Sequence, residues 1–293
     1  MKRNLVIAAL STALLAACGG GGGTSGAVPT AAATATPSAT STPGSSSGAS
    51  SSYAAAYKAV SWGANVSVSF PSSCSMTFTT NGQPTYHADY YLAPMPGASD
   101  TIVAYTSLTD TALYLINWPS SNIVSSTVTV NTCPSKAAAT TATNMGPIGY
   151  TIAGEAIFNP YEQGGTPALE DNASYSFTAN GTQETASFVD SCNSHAASVN
   201  GQTLWHHHGV PTCLTQQVDG DGPSHIIGFA LDGFPIYGGR DVNGNVVSVS
   251  QLDACNGITS PTPEFPNGAY HYVLPIGVTD KYSSLNCYAG TPE

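Results

Sequence analysis

The chain has 293 residues and seven cysteines; 8% of its residues are charged, 41% are hydrophobic, and its formal net charge is −11 at pH 7. With six basic side chains against seventeen acidic ones, it offers no surface for a phosphate backbone, so nucleic acid is excluded as a partner. Its Gly-x-Ser-x-Gly run at 44–48 and Gly-x-Gly-x-x-Gly run at 21–26 fall in a low-complexity stretch that offers neither a nucleophile elbow nor a phosphate-binding loop, no His-Glu-x-x-His is present, and its scattered carboxylates nominate no facing pair, which argues against serine hydrolase, nucleotide-enzyme and glycosidase chemistry.

Lys2 and Arg3 precede an apolar run from Leu5 to Leu15 that closes on Ala16 and Ala17. Residues 1–17 therefore read as an export signal, too short to hold the chain in a bilayer. The tetrad Leu15-Ala16-Ala17-Cys18 resembles the bacterial lipobox. That resemblance implies cleavage before Cys18, acyl chains on Cys18, and attachment to the cell envelope through the lipid. Gly19 does not resemble an inner-membrane retention signal, so in a cell with an outer membrane that is the expected home. Loss of the signal leaves four basic side chains against seventeen acidic ones, a net charge of −13.

Residues 18–52 are a lipid-bearing cysteine and a tether built almost wholly of Gly, Ala, Ser, Thr and Pro, which cannot bury enough surface to offset chain entropy. From Tyr53 the composition turns to aromatics, β-branched residues and cysteines, so 53–293 is the folded part; 53–145 forms either a β subdomain or part of one sheet system. Alternation at Val66, Val68 and Phe70, at Met76 and Phe78, and at Val124, Val128 and Val130 predicts half-buried strands. The fold class is mainly β, a disulfide-stapled, sandwich-like or otherwise layered domain with short helices, one of them around Ser250 to Ala254.

The segment Ile148–Phe158 aligns without gaps on Ile227–Tyr237, sharing Ile-Gly-aromatic-x-aliphatic-x-Gly-x-x-Ile-aromatic. Asp232-Gly233 is a favoured hairpin turn and Ala153-Gly154 holds the matching place, so two related β-hairpins are expected. Pro235 lacks an amide donor, which puts its strand at an edge or ends its pairing there. Beyond Cys18, the six cysteines Cys74, Cys133, Cys192, Cys213, Cys255 and Cys287 allow fifteen pairings. Sequential pairs are expected because each closes one segment carrying its own motif. No Cys-x-x-Cys pair is present, which disfavours a redox dithiol or a zinc ribbon.

Trp205-His206-His207-His208-Gly209 is the densest site-like feature. On a strand, His206 and His208 share one face and can grip one ion, while Trp205 and His207 share the other. His271, between Tyr270 and Tyr272, is a third imidazole, and three with an open position suit zinc or copper. Histidines among tyrosines can equally exchange hydrogen bonds in a rigid polar core layer.

Asp190-Ser191-Cys192-Asn193-Ser194-His195, Trp205 to Leu214, Gly228 to Gly238 (GFALDGFPIYG), Leu252 to Gly257, Tyr270-His271-Tyr272 and Cys287 together resemble the YHYH-domain family. The resemblance covers most of residues 74–290. It departs in two places: the first Tyr-His-Tyr-His is Trp205-His206-His207-His208 here, and the second is Tyr270-His271-Tyr272-Val273. The family implies no established reaction, and no catalytic residue follows from it. It does imply that His206, His208 and His271 converge, with His195 and His207 as further candidates.

Other residues carry two readings. Asp232 either orients a histidine or forms its turn; Asp190 either ligates a cation or caps its loop. His87 reads as structural. The Asp219-Gly220-Asp221-Gly222 and Asp241–Asn245 segments have calcium-loop composition without the following bidentate Glu, and read as turns. Three functions fit: an envelope protein binding copper or zinc; a metal-free module offering Trp205, Tyr237, Tyr270 and Tyr272 to a glycan or other small-molecule ligand; and a structural lipoprotein.

Overall fold

The computed structural model describes residues 52–83, 93–94, 102–103, 124–162, 165–170, 174–179, 182–187, 189–199, 202–214 and 222–293. Of 93–94, 102–103, 174–179, 182–187, 196–199 and 202–203 it describes the backbone. The expected signal, Cys18, the expected tether up to residue 51, His87 and Asp219 to Asp221 lie outside the described residues.

Helix α1 (Ala54–Ala59) is followed by β1 (Val66–Ser72), β2 (Ser75–Thr80), β3 (Ala93–Pro94), β4 (Ile102–Val103), β5 (Ser126–Asn131), β6 (Thr141–Ala142), β7 (Gly149–Thr151) and β8 (Ala156–Ile157). The chain continues through β9 (Ser174–Ala179), β10 (Thr182–Ser187), β11 (Ser194–Val199), β12 (Gln202–His207), β13 (Ile226–Ala230), β14 (Pro235–Tyr237), β15 (Gly257–Ser260), β16 (Ala269–Val273) and β17 (Cys287–Tyr288). The expected helix near Ser250 is one 3-10 turn, Val249–Gln251, closed by a capping box between Ser248 and Gln251. The alanine-rich α1 was not anticipated.

The protein is mainly β, as its alternation requires. β1, β2 and β5 form a three-stranded antiparallel sheet. Its inner face, Met76, Phe78 and Val130, is buried, while on the outer face Thr77 meets Thr129 and Thr79 meets Thr127 through their hydroxyls. The inner face packs on an eight-stranded mixed sheet of order β11-β12-β8-β7-β13-β14-β16-β15. The contact is aromatic: the Phe78 ring lies 5.0 Å from Phe229 and 5.3 Å from Tyr150, with Trp62 edge-on to both phenylalanines. Helix α1 closes the same core, with Tyr57 donating to the Gly233 carbonyl and the adjoining Tyr53 to that of Tyr270. All these elements belong to one compact unit spanning residues 47–293.

The two related hairpins are β7–β8 and β13–β14, and they lie side by side through β7 and β13 at the middle of the large sheet. Gly154 and Gly233 occupy their turns at φ of +112° and +87°, which a side chain resists. Of the two expected places for Pro235, the end of its strand's pairing holds and the sheet edge does not. Its strand is flanked by β13 and β16, and the proline is tolerated because it is the first residue of the strand, where its missing N–H breaks no ladder. The disulfides are Cys74–Cys133, Cys192–Cys213 and Cys255–Cys287, the sequential pairing.

Candidate metal centre

The centre is assembled by three segments at one end of the large sheet. β11 and β12 form an antiparallel pair in which His195 stands directly opposite His206. His208 follows the end of β12, two residues on and so on the same face. The loop after β8 supplies Glu162, held where its N–H donates to the Thr166 carbonyl and Tyr161 bridges to Pro167. One donor atom from each of Glu162, His195, His206 and His208 lies within 4.8 Å of all the others.

His208 Nε2 is 3.1 Å from His195 Nε2 and 3.0 Å from His206 Nε2, and Glu162 Oε1 is 2.8 Å from both His195 Nε2 and His208 Nε2. Donor atoms around a tetrahedral zinc ion stand about 3.3 Å apart, given Zn–N bonds of about 2.0–2.1 Å. The cluster is already near that spacing. It is also dry: the His208 side chain is 1% exposed and that of His195 9%, while Glu162, at 33%, is the ligand that faces water.

The tautomers decide what the cluster can do. His206 Nδ1 donates to the Leu204 carbonyl at 3.0 Å and His208 Nδ1 to the Asn159 carbonyl at 2.8 Å. A carbonyl only accepts, so in each neutral ring the proton sits on Nδ1 and the Nε2 lone pair points inward. Two lone pairs then face one another at 3.0 Å, beside a carboxylate oxygen, Glu162 Oε1, that accepts no well-formed hydrogen bond among the described residues. Protonating His206 would relieve the repulsion, but burial opposes it. Burial, with His195 and His208 adding to it, pushes His206 well below the ordinary imidazole value, and burial likewise lowers His195. Burial disfavours the Glu162 anion too, yet its contacts with His195 and His208 more than offset this and hold it below the usual carboxylate range. A cation accepting all four donors satisfies them together. Phe158, stacked on His206 at 3.9 Å, walls off the inner side.

Of the expected ligands, His206 and His208 come together and His195 joins them; His271 does not. It stands on β16, five strands from β12, or roughly 24 Å at the usual strand spacing. There it donates from Nδ1 to the Ala269 carbonyl and packs against Tyr237. The two histidine motifs sit in opposite wings of one sheet, so they cannot converge. His207 points to the other face, donating from Nδ1 to the Cys192 carbonyl, and burial lowers it to about 3. Asp232 orients no histidine: it forms its turn and accepts from Tyr272 and from the Gly290 N–H.

Asp190 is not part of the four-donor group; it caps its own loop, accepting from the N–H groups of Cys192 and Ser194 and from the Ser194 hydroxyl. Burial pushes its carboxyl up to about 7 against those donors. In the unfolded chain it titrates near 3.9, so the folded state holds the extra proton between the two values, and this contribution to stability is full below about pH 4 and is lost progressively as pH rises to and through about 7. Asp190→Asn is expected to flatten the stability profile between pH 4 and 7 in urea titrations; an unchanged slope would mean the carboxyl is ionised throughout.

Glu162 was missed. It lies in a turn without periodicity, and its one sequence signal is that continuing the Ile148–Phe158 alignment past the aromatic pairs it with Asp241.

No curated protein and no solved structure matches the chain. The family described as YHYH protein matches residues 127–249 and 241–290, which span the two hairpins, the histidine centre and His271. Since the match takes in more than half of the sequence, the chain belongs to the YHYH protein family.

Proposed function

We propose that the protein holds a zinc or copper ion with Glu162, His195, His206 and His208, in a domain tethered to the cell envelope by a lipid on Cys18. The observation that carries the metal reading is the facing pair of Nε2 lone pairs on His206 and His208, fixed by two backbone carbonyl acceptors. Three imidazoles and a carboxylate are borderline-to-hard donors that suit Zn²⁺ or Cu²⁺. Four protein ligands make this a holding site first; Glu162, the exposed one, is where an outside ligand would enter. The glycan-module reading loses its support, because Trp205, Tyr237, Tyr270 and Tyr272 are all buried and present no open ring face.

Metal content by mass spectrometry, on the untagged domain made in an export host, tests this. Wild type is expected to carry about one equivalent of zinc or copper and His206→Ala essentially none. A metal-free wild type after loading with both ions would reject the reading. Envelope attachment is tested separately: radiolabelled palmitate should enter the wild-type chain and be absent from Cys18→Ser.

A further inference from the structure

We infer that residues 148–214 and 227–290 are two copies of one structural unit, and that the second carries a dismantled counterpart of the histidine centre. Asp241, Ile258, His271 and Val273 stand where the first copy has Glu162, His195, His206 and His208. The inference rests on the metal reading of the first copy.

The large sheet reads the same outward from its central β7–β13 pair: antiparallel, parallel, antiparallel on both sides. The hydrogen bonds repeat as well. Thr151 N–H donates to the Glu155 carbonyl as Ala230 does to Phe234, and Ile152 donates to Ile227 as Leu231 does to Ile148. Past the hairpins, Glu162 to Thr166 and Ala168 to Pro160 are matched by Asp241 to Asn245 and Val247 to Gly239. The cysteine loops match in the same way. Asp253 accepts from Cys255 and Gly257 as Asp190 does from Cys192 and Ser194, and among the described residues Asn193 and Asn256 are the two non-glycine residues with positive φ, at 60° and 64°.

Register then fixes the site positions. Ile157 pairs with His207 and its counterpart Ile236 with Tyr272, so His206 corresponds to His271 and His208 to Val273; across the next pair, His195 corresponds to Ile258. The surviving histidine keeps its setting. His271 donates from Nδ1 to the carbonyl two residues before it, as His206 does, and lies against Tyr237 as His206 lies against Phe158. Two imidazoles are replaced by apolar side chains, and Asp241 folds back onto the amides of Asn243 and Asn245.

Cobalt(II) titration followed by its ligand-field absorption tests the inference, with thermal melts to show which chains fold. Wild type is expected to bind about one equivalent and Ile258→His/Val273→His about two. A folded double variant that stays at one, beside a wild type at one, overturns the inference and leaves the first site standing. A wild type that binds none rejects the first site and the inference with it, so the wild-type stoichiometry separates the two failures. If that double variant does not fold, the reciprocal His195→Ile/His208→Val decides: a folded, cobalt-free chain supports equivalence of the copies, and an unfolded one overturns it.

Discussion

Saturating zinc is expected to raise the thermal unfolding midpoint of the wild-type domain by about 10 °C and to leave that of His208→Ala where it was. A ligand present at about a thousand times its dissociation constant stabilises the folded state by about 4 kcal/mol, and a domain of this size gains about 2–4 °C per kcal/mol. His208 is the informative substitution because its Nε2 lies within 3.1 Å of all three other ligands of the cluster, the His195 and His206 nitrogens and the Glu162 oxygen. Its removal also strips the Asn159 carbonyl of a donor, so the metal-free variant should start lower; the measured quantity is the increment on adding zinc. The acidic surface will attract divalent ions without a site, and magnesium at the same ionic strength controls for that. Equal increments in wild type and variant would place the effect on that surface. No increment in wild type would remove zinc as the ligand.

Much of the architecture was legible because it depends on local rules. Alternation marked the strands of the smaller sheet, and the glycines at the two turns marked both hairpins, since positive φ is needed there. The cysteines paired as their motif spacing suggested. His206 and His208 were legible as a pair because period-two geometry guarantees a shared face. The rest was fixed by strand order, which no local rule carries. His271 and His206 each follow an aromatic residue on a strand, and that likeness comes from equivalent places in two wings of a sheet rather than from a shared site. His195 depended on the β11–β12 register, and Glu162 on the irregular segment after β8, where Tyr161 bridges to Pro167. Pro235 ends its strand's pairing, one of its two expected places, because a missing donor limits where in a strand it sits but does not say which strands flank it.

Gly228→Ala is expected to cost about 3 kcal/mol or more and to keep most of the protein from folding, with Gly149→Ala doing the same. These glycines hold equivalent places in the two hairpins and both stand in the central β7–β13 pair, Gly228 opposite Thr151 and Gly149 opposite Ala230. A Cβ on Gly228 would lie 2.4 Å from the Tyr150 carbonyl oxygen, and one on Gly149 would lie 2.3 Å from that of Phe229. Both obstacles are backbone, so no rotamer change relieves them. Both strands are paired on both sides, so neither can retreat without breaking a second ladder. Tyr150 and Phe229 also carry the rings that meet Phe78 across the layers, so moving either strand opens the aromatic core, and close-packed interiors absorb such shifts poorly. Gly222→Ala, where an added Cβ meets nothing within 4 Å, is the control and should stay within about 0.5 kcal/mol of wild type. The urea midpoint of each variant measures the difference; if Gly228→Ala unfolds where Gly222→Ala does, the two hairpins do not meet at this closely spaced backbone crossing.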